Sequence, residues 1–187
     1  MMKKIRAAIG KAGDDQVLTG MIEWDDAYFS TSTPKRLRKK LKRGKGSQKK
    51  SKVTVMVESF PLEIDGIAQR YCGQLKMKVG QSEQKTFTQQ LVKSSIDKDS
   101  VVFTDQSSSY VDLKNLVNLH VSFKSTRESV DELKCVHIAI ANAKRNLLGI
   151  YHVIKEKYLQ HYLDEFCFKL NRRYNTNLFD NLIVSLI

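Results

Sequence analysis

Residues 17–29 read VLTGMIEWDDAYF, and the phase of these side chains sets the rest of the fold. Ile22 and Trp24 alternate with Glu23 and Asp25, the period of a β-strand with one apolar and one polar side. Asp25 falls opposite in phase to Ile22 and Trp24, whereas its neighbour Asp26 falls with Trp24. A carboxylate in mid-strand is not a choice that apolar packing explains.

Downstream, residues 30–52 read STSTPKRLRKKLKRGKGSQKKSK, with Pro34, Gly44 and Gly46 interrupting any regular element. This predicts a basic loop over 31–52. Two further strands are predicted at 53–59 (VTVMVES) and 68–77 (AQRYCGQLKM), joined through Pro61, Asp65 and Gly66 over a hairpin-length connection. Helical spacing of Phe87, Leu91 and Ile96 marks 84–96. Val101, Val102 and Phe103 form a short apolar run, suited to a strand covered on both faces, and lead straight into Thr104 and Asp105. A short helix over 108–116, a strand over 119–123 and helices over 137–148 and 157–174 complete the main pattern, with Gly149 as a natural helix stop. Upstream, residues 1–13 are basic and helix-compatible; downstream, 176–187 end in the apolar FDNLIVSLI, read as a last helix. Three strands, then alternating helix and strand, then helices give an α/β fold: a mixed five-stranded sheet with helices on both faces. An RNase H-like layout has this order.

Composition narrows the partner. The chain of 187 residues is 41% hydrophobic and 28% charged, which excludes disorder over most of its length. Its net charge is +12, yet residues 35–52 alone hold 11 basic side chains and no acid, leaving the remainder nearly neutral. A cationic segment of that density fits a polyanion, because clustered cations release the counterions condensed on nucleic acid. With few aromatics inside the run, contacts to phosphates are expected over contacts to bases. Three scattered cysteines, Cys72, Cys135 and Cys167, argue against a disulfide scaffold and against a four-ligand zinc site. No apolar run approaches the roughly 20 residues of a membrane span, and a reducing, cytoplasmic compartment is expected. P-loop, serine-hydrolase and zincin motifs do not occur.

Asp25 and Asp105 are the candidates for chemistry. On neighbouring strands, two such carboxylates would repel unless a hard cation lay between them, and oxygen ligands suit magnesium or manganese. A third oxygen is expected from a helix packed over the same sheet, and Asn142, with 36 residues between it and Asp105, is the candidate. An aspartate at a strand end also serves to start a turn or cap a helix, and the pattern leaves both readings of Asp105 open. His137, His152 and His161 point to a metal only weakly.

Several separated segments together resemble a known family. IEWDDAYFS (22–30), KRGKGSQKK (42–50), VVFTDQSSSY (101–110), VHIAIANAKRNLLGIYH (136–152) and KYLQHYLDEFCFKLNRR (157–173) are similar, in this order, to the catalytic region of bacterial insertion-sequence transposases of the fifteen-ninety-five, or ISXO-two-like, group. The resemblance covers about residues 17–175. It implies an RNase H-like fold of the DDE type, shared with retroviral integrases, that cuts and joins DNA with two Mg2+ (or Mn2+) ions. Asp25 matches the first family aspartate, Asp105 the second, and Asn142 stands where DDE enzymes carry the third acid, as in members with asparagine there. Lys39, Lys40, Lys42, Arg43, Lys45, Lys49 and Lys50 of the loop, with Lys144 and Arg145, are then the expected contacts to double-stranded DNA. The resemblance further implies a homodimer when active and a bacterial, nucleoid-associated location. Full-length relatives carry an N-terminal zinc ribbon and a helix-turn-helix-like region; this sequence shows neither, so residues 1–16 read as the tail of a truncated region. A non-catalytic DNA-binding remnant and another RNase H-like nuclease, acting on RNA–DNA hybrids, are the alternative functions.

Overall fold

The computed structural model describes residues 2–32, 49–80, 85–106, 113–124 and 132–177. Among these residues, four α-helices, α1 (Met2–Asp14), α2 (Lys85–Ser95), α3 (Lys134–Tyr151) and α4 (Leu159–Asn171), accompany five strands: β1 (Met21–Ser30), β2 (Lys50–Ile64), β3 (Ile67–Val79), β4 (Val101–Asp105) and β5 (Leu119–Phe123). The strand order is β3-β2-β1-β4-β5. The first three strands are antiparallel neighbours, while β4 runs parallel to β1 and β5 parallel to β4. This is the RNase H-like mixed sheet expected from the element order.

Alternation along β1 separates two cores. Ile22 and Trp24 face a cluster with Met56, Val102 and the α2 residues Leu91 and Val92. Ala27 and Phe29 face the other side, where Val53, Val55, Leu75 and Met77 meet Ala139, Ala143 and Leu147 of α3 and Leu159, Leu163 and Phe166 of α4. Small residues on α3 let that helix approach the sheet closely. The side read as polar is thus also covered: Glu23 is fully buried beneath α3. α1 packs on α4, where Arg6 meets Glu165 at 2.7 Å and lies over the Tyr162 ring at 4.2 Å.

Several boundaries differ from the sequence reading. β1 starts at Met21, because Gly20 adopts φ +74° just before it and Leu18 makes only an isolated bridge to Ile96. The basic loop gives way to strand at Lys50 and not after Lys52, since Lys50, Ser51 and Lys52 pair with Ser30, Phe29 and Tyr28. Gly149 does not stop α3; the helix continues to Tyr151 and ends where His152 takes φ +50°. Of the short helix over 108–116, residues 113–115 form one 3-10 turn and 107–112 lie outside the described residues. Thr176 and Asn177 lie in a turn, and the rest of the expected last helix lies outside the described residues.

The cysteines also correct the reading. Cys72 on β3 and Cys135 at the start of α3 form a disulfide, with Cα atoms 5.4 Å apart and a sequence separation of 63. Folding pairs two of the three; Cys167 is free and buried, and burial pushes its thiol pKa well up.

Candidate active site

The site begins with strand register. β1 and β4 pair from Met21↔Val101 through Trp24↔Thr104. Asp25 and Asp105 stand one residue past that paired run, each on the same face of the sheet as the other by strand alternation. That face is the one covered by α3.

One oxygen of Asp25, Oδ1, accepts the Asp26 N–H at 2.7 Å. Its other oxygen, Oδ2, lies 3.6 Å from Nε2 of His137 on α3, with both side chains partly exposed. Asp26 points to the opposite face, where Lys52 meets it at 2.9 Å and the Thr54 hydroxyl donates to it at 2.8 Å. At the end of β4 the Thr104 hydroxyl donates to the Asp105 carbonyl at 2.8 Å and sits 2.8 Å from Nε2 of His120. Burial, and then Lys114, lowers the His120 pKa below the usual imidazole range.

Asn142 lies on α3, half-buried between Ala141 and Ala143. It stands five residues beyond His137, about 140° round the helix at 3.6 residues per turn. Among the described residues no hydrogen bond joins it to Asp25 or Asp105. Of the expected DNA contacts, Lys49 and Lys50 are exposed at the start of β2, Arg145 is exposed, and Lys144 holds its ammonium 5.7 Å from the Phe29 ring. Lys39, Lys40, Lys42, Arg43 and Lys45 lie outside the described residues.

Glu23, which the sequence reading did not single out, and His137, which it read only weakly as a metal ligand, both lie beside Asp25. Glu23 Oε2 accepts the Val136 N–H at 2.8 Å, and Arg70 Nη1 lies 3.7 Å from its Oε1. Burial raises the Glu23 carboxyl pKa, opposed by hydrogen bonds from Ser59 and the α3 backbone and by the Arg70 charge. Arg70 also binds Glu132 at 2.8 Å. The available signal was phase: Glu23 lies two residues before Asp25 and shares its face. His137 stands in the quoted VHIAIANAKR, but nothing local to it indicates which strand it meets.

The donor set fits a hard divalent cation: two carboxylates on adjacent strands and an amide oxygen on the covering helix are all oxygen ligands. Among the described residues no three His, Cys, Asp or Glu side chains gather into a metal-holding group.

The sequence family described as the ISXO2-like transposase domain matches residues 17–171, the span that contains all five strands, α2, α3 and α4. The chain belongs to this family. Among curated proteins, none matches the sequence. A solved structure described as the Mos1 mariner paired end complex with Mn matches this transposase domain with 14% identity and a TM-score of 0.36. The match covers 99% of this chain and 62% of that one, so the chain spans under two thirds of its length. Among the described residues of the transposase domain, no helix is long and apolar enough to cross a membrane.

Proposed function

We propose that this chain is the catalytic domain of a DNA transposase, a polynucleotidyl transferase that cuts and joins insertion-sequence ends. The observation that supports the reading is the β1–β4 register, which runs up to Trp24 and Thr104, the residues just before Asp25 and Asp105, in a member of a transposase family. Asp25, Asp105 and Asn142 would hold two Mg2+ or Mn2+ ions. When bound, these ions would supply Lewis acidity, activating water and stabilising the departing 3′ oxygen of the scissile phosphate.

The protein's own groups have separate tasks. The Asp26 N–H fixes one oxygen of Asp25. Asn142 offers oxygen without charge and accepts no proton, so no base is assigned to it. Lys144, Arg145 and the basic loop hold DNA phosphates around the cut. The freed 3′-hydroxyl attacks target DNA directly, so no covalent protein intermediate is needed. A homodimer brings two DNA ends together.

The test uses the purified chain with supercoiled plasmid and labelled duplex, in Mg2+ or Mn2+. Asp25→Asn and Asp105→Asn each abolish nicking while duplex affinity stays within about threefold, well under the tenfold that 1.4 kcal/mol represents. Nicking retained in both variants overturns the assignment. Wild-type binding that falls steeply with salt, without nicking, instead marks a DNA-binding module without turnover.

A further inference from the structure

Past the far end of β1, on the same side of the sheet as Asp25, lies a cavity of about 230 Å³. One water needs roughly 10–15 Å³ of such space. Its lining is of two kinds. Phe29, Leu147, Leu148, Ile154 and Leu159 give apolar walls, while Lys50, Lys144 and His152 bring basic groups, and among the described residues none of the lining is acidic. Phe29 stands four residues beyond Asp25, about 13 Å along the strand and on the same face.

The backbone at the rim is unusual. His152 takes φ +50° and ψ −48°, with the Val153 N–H donating to the Tyr151 carbonyl across it, a tight three-residue turn. A non-glycine residue there is strained, and such strain persists only when the surroundings impose it. This turn ends α3 and puts His152 at the cavity. The next residues pair with the strand exit: the Ser32 N–H donates to the Ile154 carbonyl at 2.7 Å.

We propose that this cavity receives a single nucleotide lifted out of the DNA duplex near the cleavage site, its base among the apolar walls and its phosphate at Lys50, Lys144 and His152. The proposal rests on the DNA transposase reading above and adds to it a specific subsite. Apolar walls with a rim of basic side chains match the two halves of a nucleotide: a base gains by stacking and burial, and its phosphate by the adjacent lysines. A fully paired duplex presents its bases stacked inside and meets only the rim.

The experiment measures the full chain's affinity, without divalent metal, for two labelled duplexes of one sequence. One is fully paired; the other carries a single unpaired 2-aminopurine bulge. Two variants fill the cavity from its α3 wall to different extents: Leu148→Phe and Leu148→Trp, at a position 57% exposed. The wild type binds the bulged duplex about tenfold more tightly, in line with base-stacking gains. Both variants lose that preference while binding the paired duplex as the wild type does, a readout that also shows they are folded. Equal wild-type affinity for the two duplexes overturns the proposal. A preference that survives in both variants also overturns it, because the bulge is then read elsewhere. Failure of the wild type to bind either duplex sinks the DNA reading itself, and the subsite with it.

Discussion

The Glu23 carboxylate on β1 accepts the backbone N–H of Val136, 113 residues away, at 2.8 Å. α3 has no side-chain N-cap of its own: Leu133 stands at that position. The first N–H groups of a helix lack intrahelical partners and carry partial positive charge, so a carboxylate reaching from the sheet does the work of a cap. It also fixes the height of α3 above Asp25, two residues further along β1.

The first prediction concerns that link. Glu23→Ala leaves the α3 N–H unpaired in a dry environment and Arg70 without one of its partners, costing about 2–3 kcal/mol. Glu23→Gln keeps an oxygen for Val136 and avoids burying a charge, so it recovers most of the loss. Urea unfolding of the three proteins checks this. A Glu23→Ala midpoint equal to that of the wild type would show that α3 is held by its apolar contacts alone.

A second prediction comes from the α1–α4 contact. Glu165 accepts from Arg6 at 2.7 Å and from Lys169 at 2.6 Å, and Tyr151 joins them through its hydroxyl. Burial alone would raise the Glu165 carboxyl, but Lys169 and Arg6 together hold it below the usual range. A depressed folded-state pKa means stability present above the unfolded pKa and lost as pH falls through the folded one. The wild type therefore loses stability below about pH 4, beyond what its other acids impose. Glu165→Gln flattens that part of the profile while lowering stability at neutral pH by about 1–3 kcal/mol. Thermal melts between pH 3 and 7 read both effects. Parallel profiles for the two proteins would show that the contact contributes nothing.

The disulfide supports a third. Linking Cys72 to Cys135 across a sequence separation of 63 restricts the unfolded chain, an effect of roughly 2–4 kcal/mol on stability. Reductant lowers the urea midpoint of the wild type accordingly, and Cys72→Ser is indifferent to it. Because Cys135 opens α3, the same treatment loosens the helix that covers Asp25. A wild-type protein that labels with three thiol equivalents under non-reducing, denaturing conditions would mean the bond does not form.

What the sequence made legible follows the reach of local rules. Alternation in 22–25 placed Asp25 on the face away from Trp24, and the apolar run ending at Asp105 marked the second strand, because side-chain period is a property of a few consecutive residues. Everything decided by distant contacts escaped. Glu23 read only as part of a polar strand side because the helix that buries it lies more than a hundred residues downstream. Lys50 and Lys52 read as loop because charge hides a strand whose partner is 28–30. Cys72 and Cys135 looked unpaired, since their meeting depends on how α3 docks against β3. Gly149 read as a stop, yet α3 runs on to Tyr151, where the helix-ending turn falls at His152.

The last prediction tests the third ligand. Asn142 sits on the helix over the two aspartates and offers an oxygen with no charge. Affinity of oxygen sites for hard cations rises with the number of charged ligands. Asn142→Asp therefore lowers the Mn2+ concentration giving half-maximal nicking by roughly tenfold, and Asn142→Ala raises it by a similar factor. Direct Mn2+ binding, followed by the loss of the free-ion paramagnetic resonance signal, should shift in the same order without any turnover. Lys144, one turn-half further along α3, provides the control: Lys144→Gln weakens DNA binding and leaves the Mn2+ midpoint where it was, because its ammonium contributes phosphate affinity and no oxygen. Identical Mn2+ binding across the three Asn142 proteins would remove this residue from the ligand set and leave the two aspartates to be completed by the DNA phosphate itself.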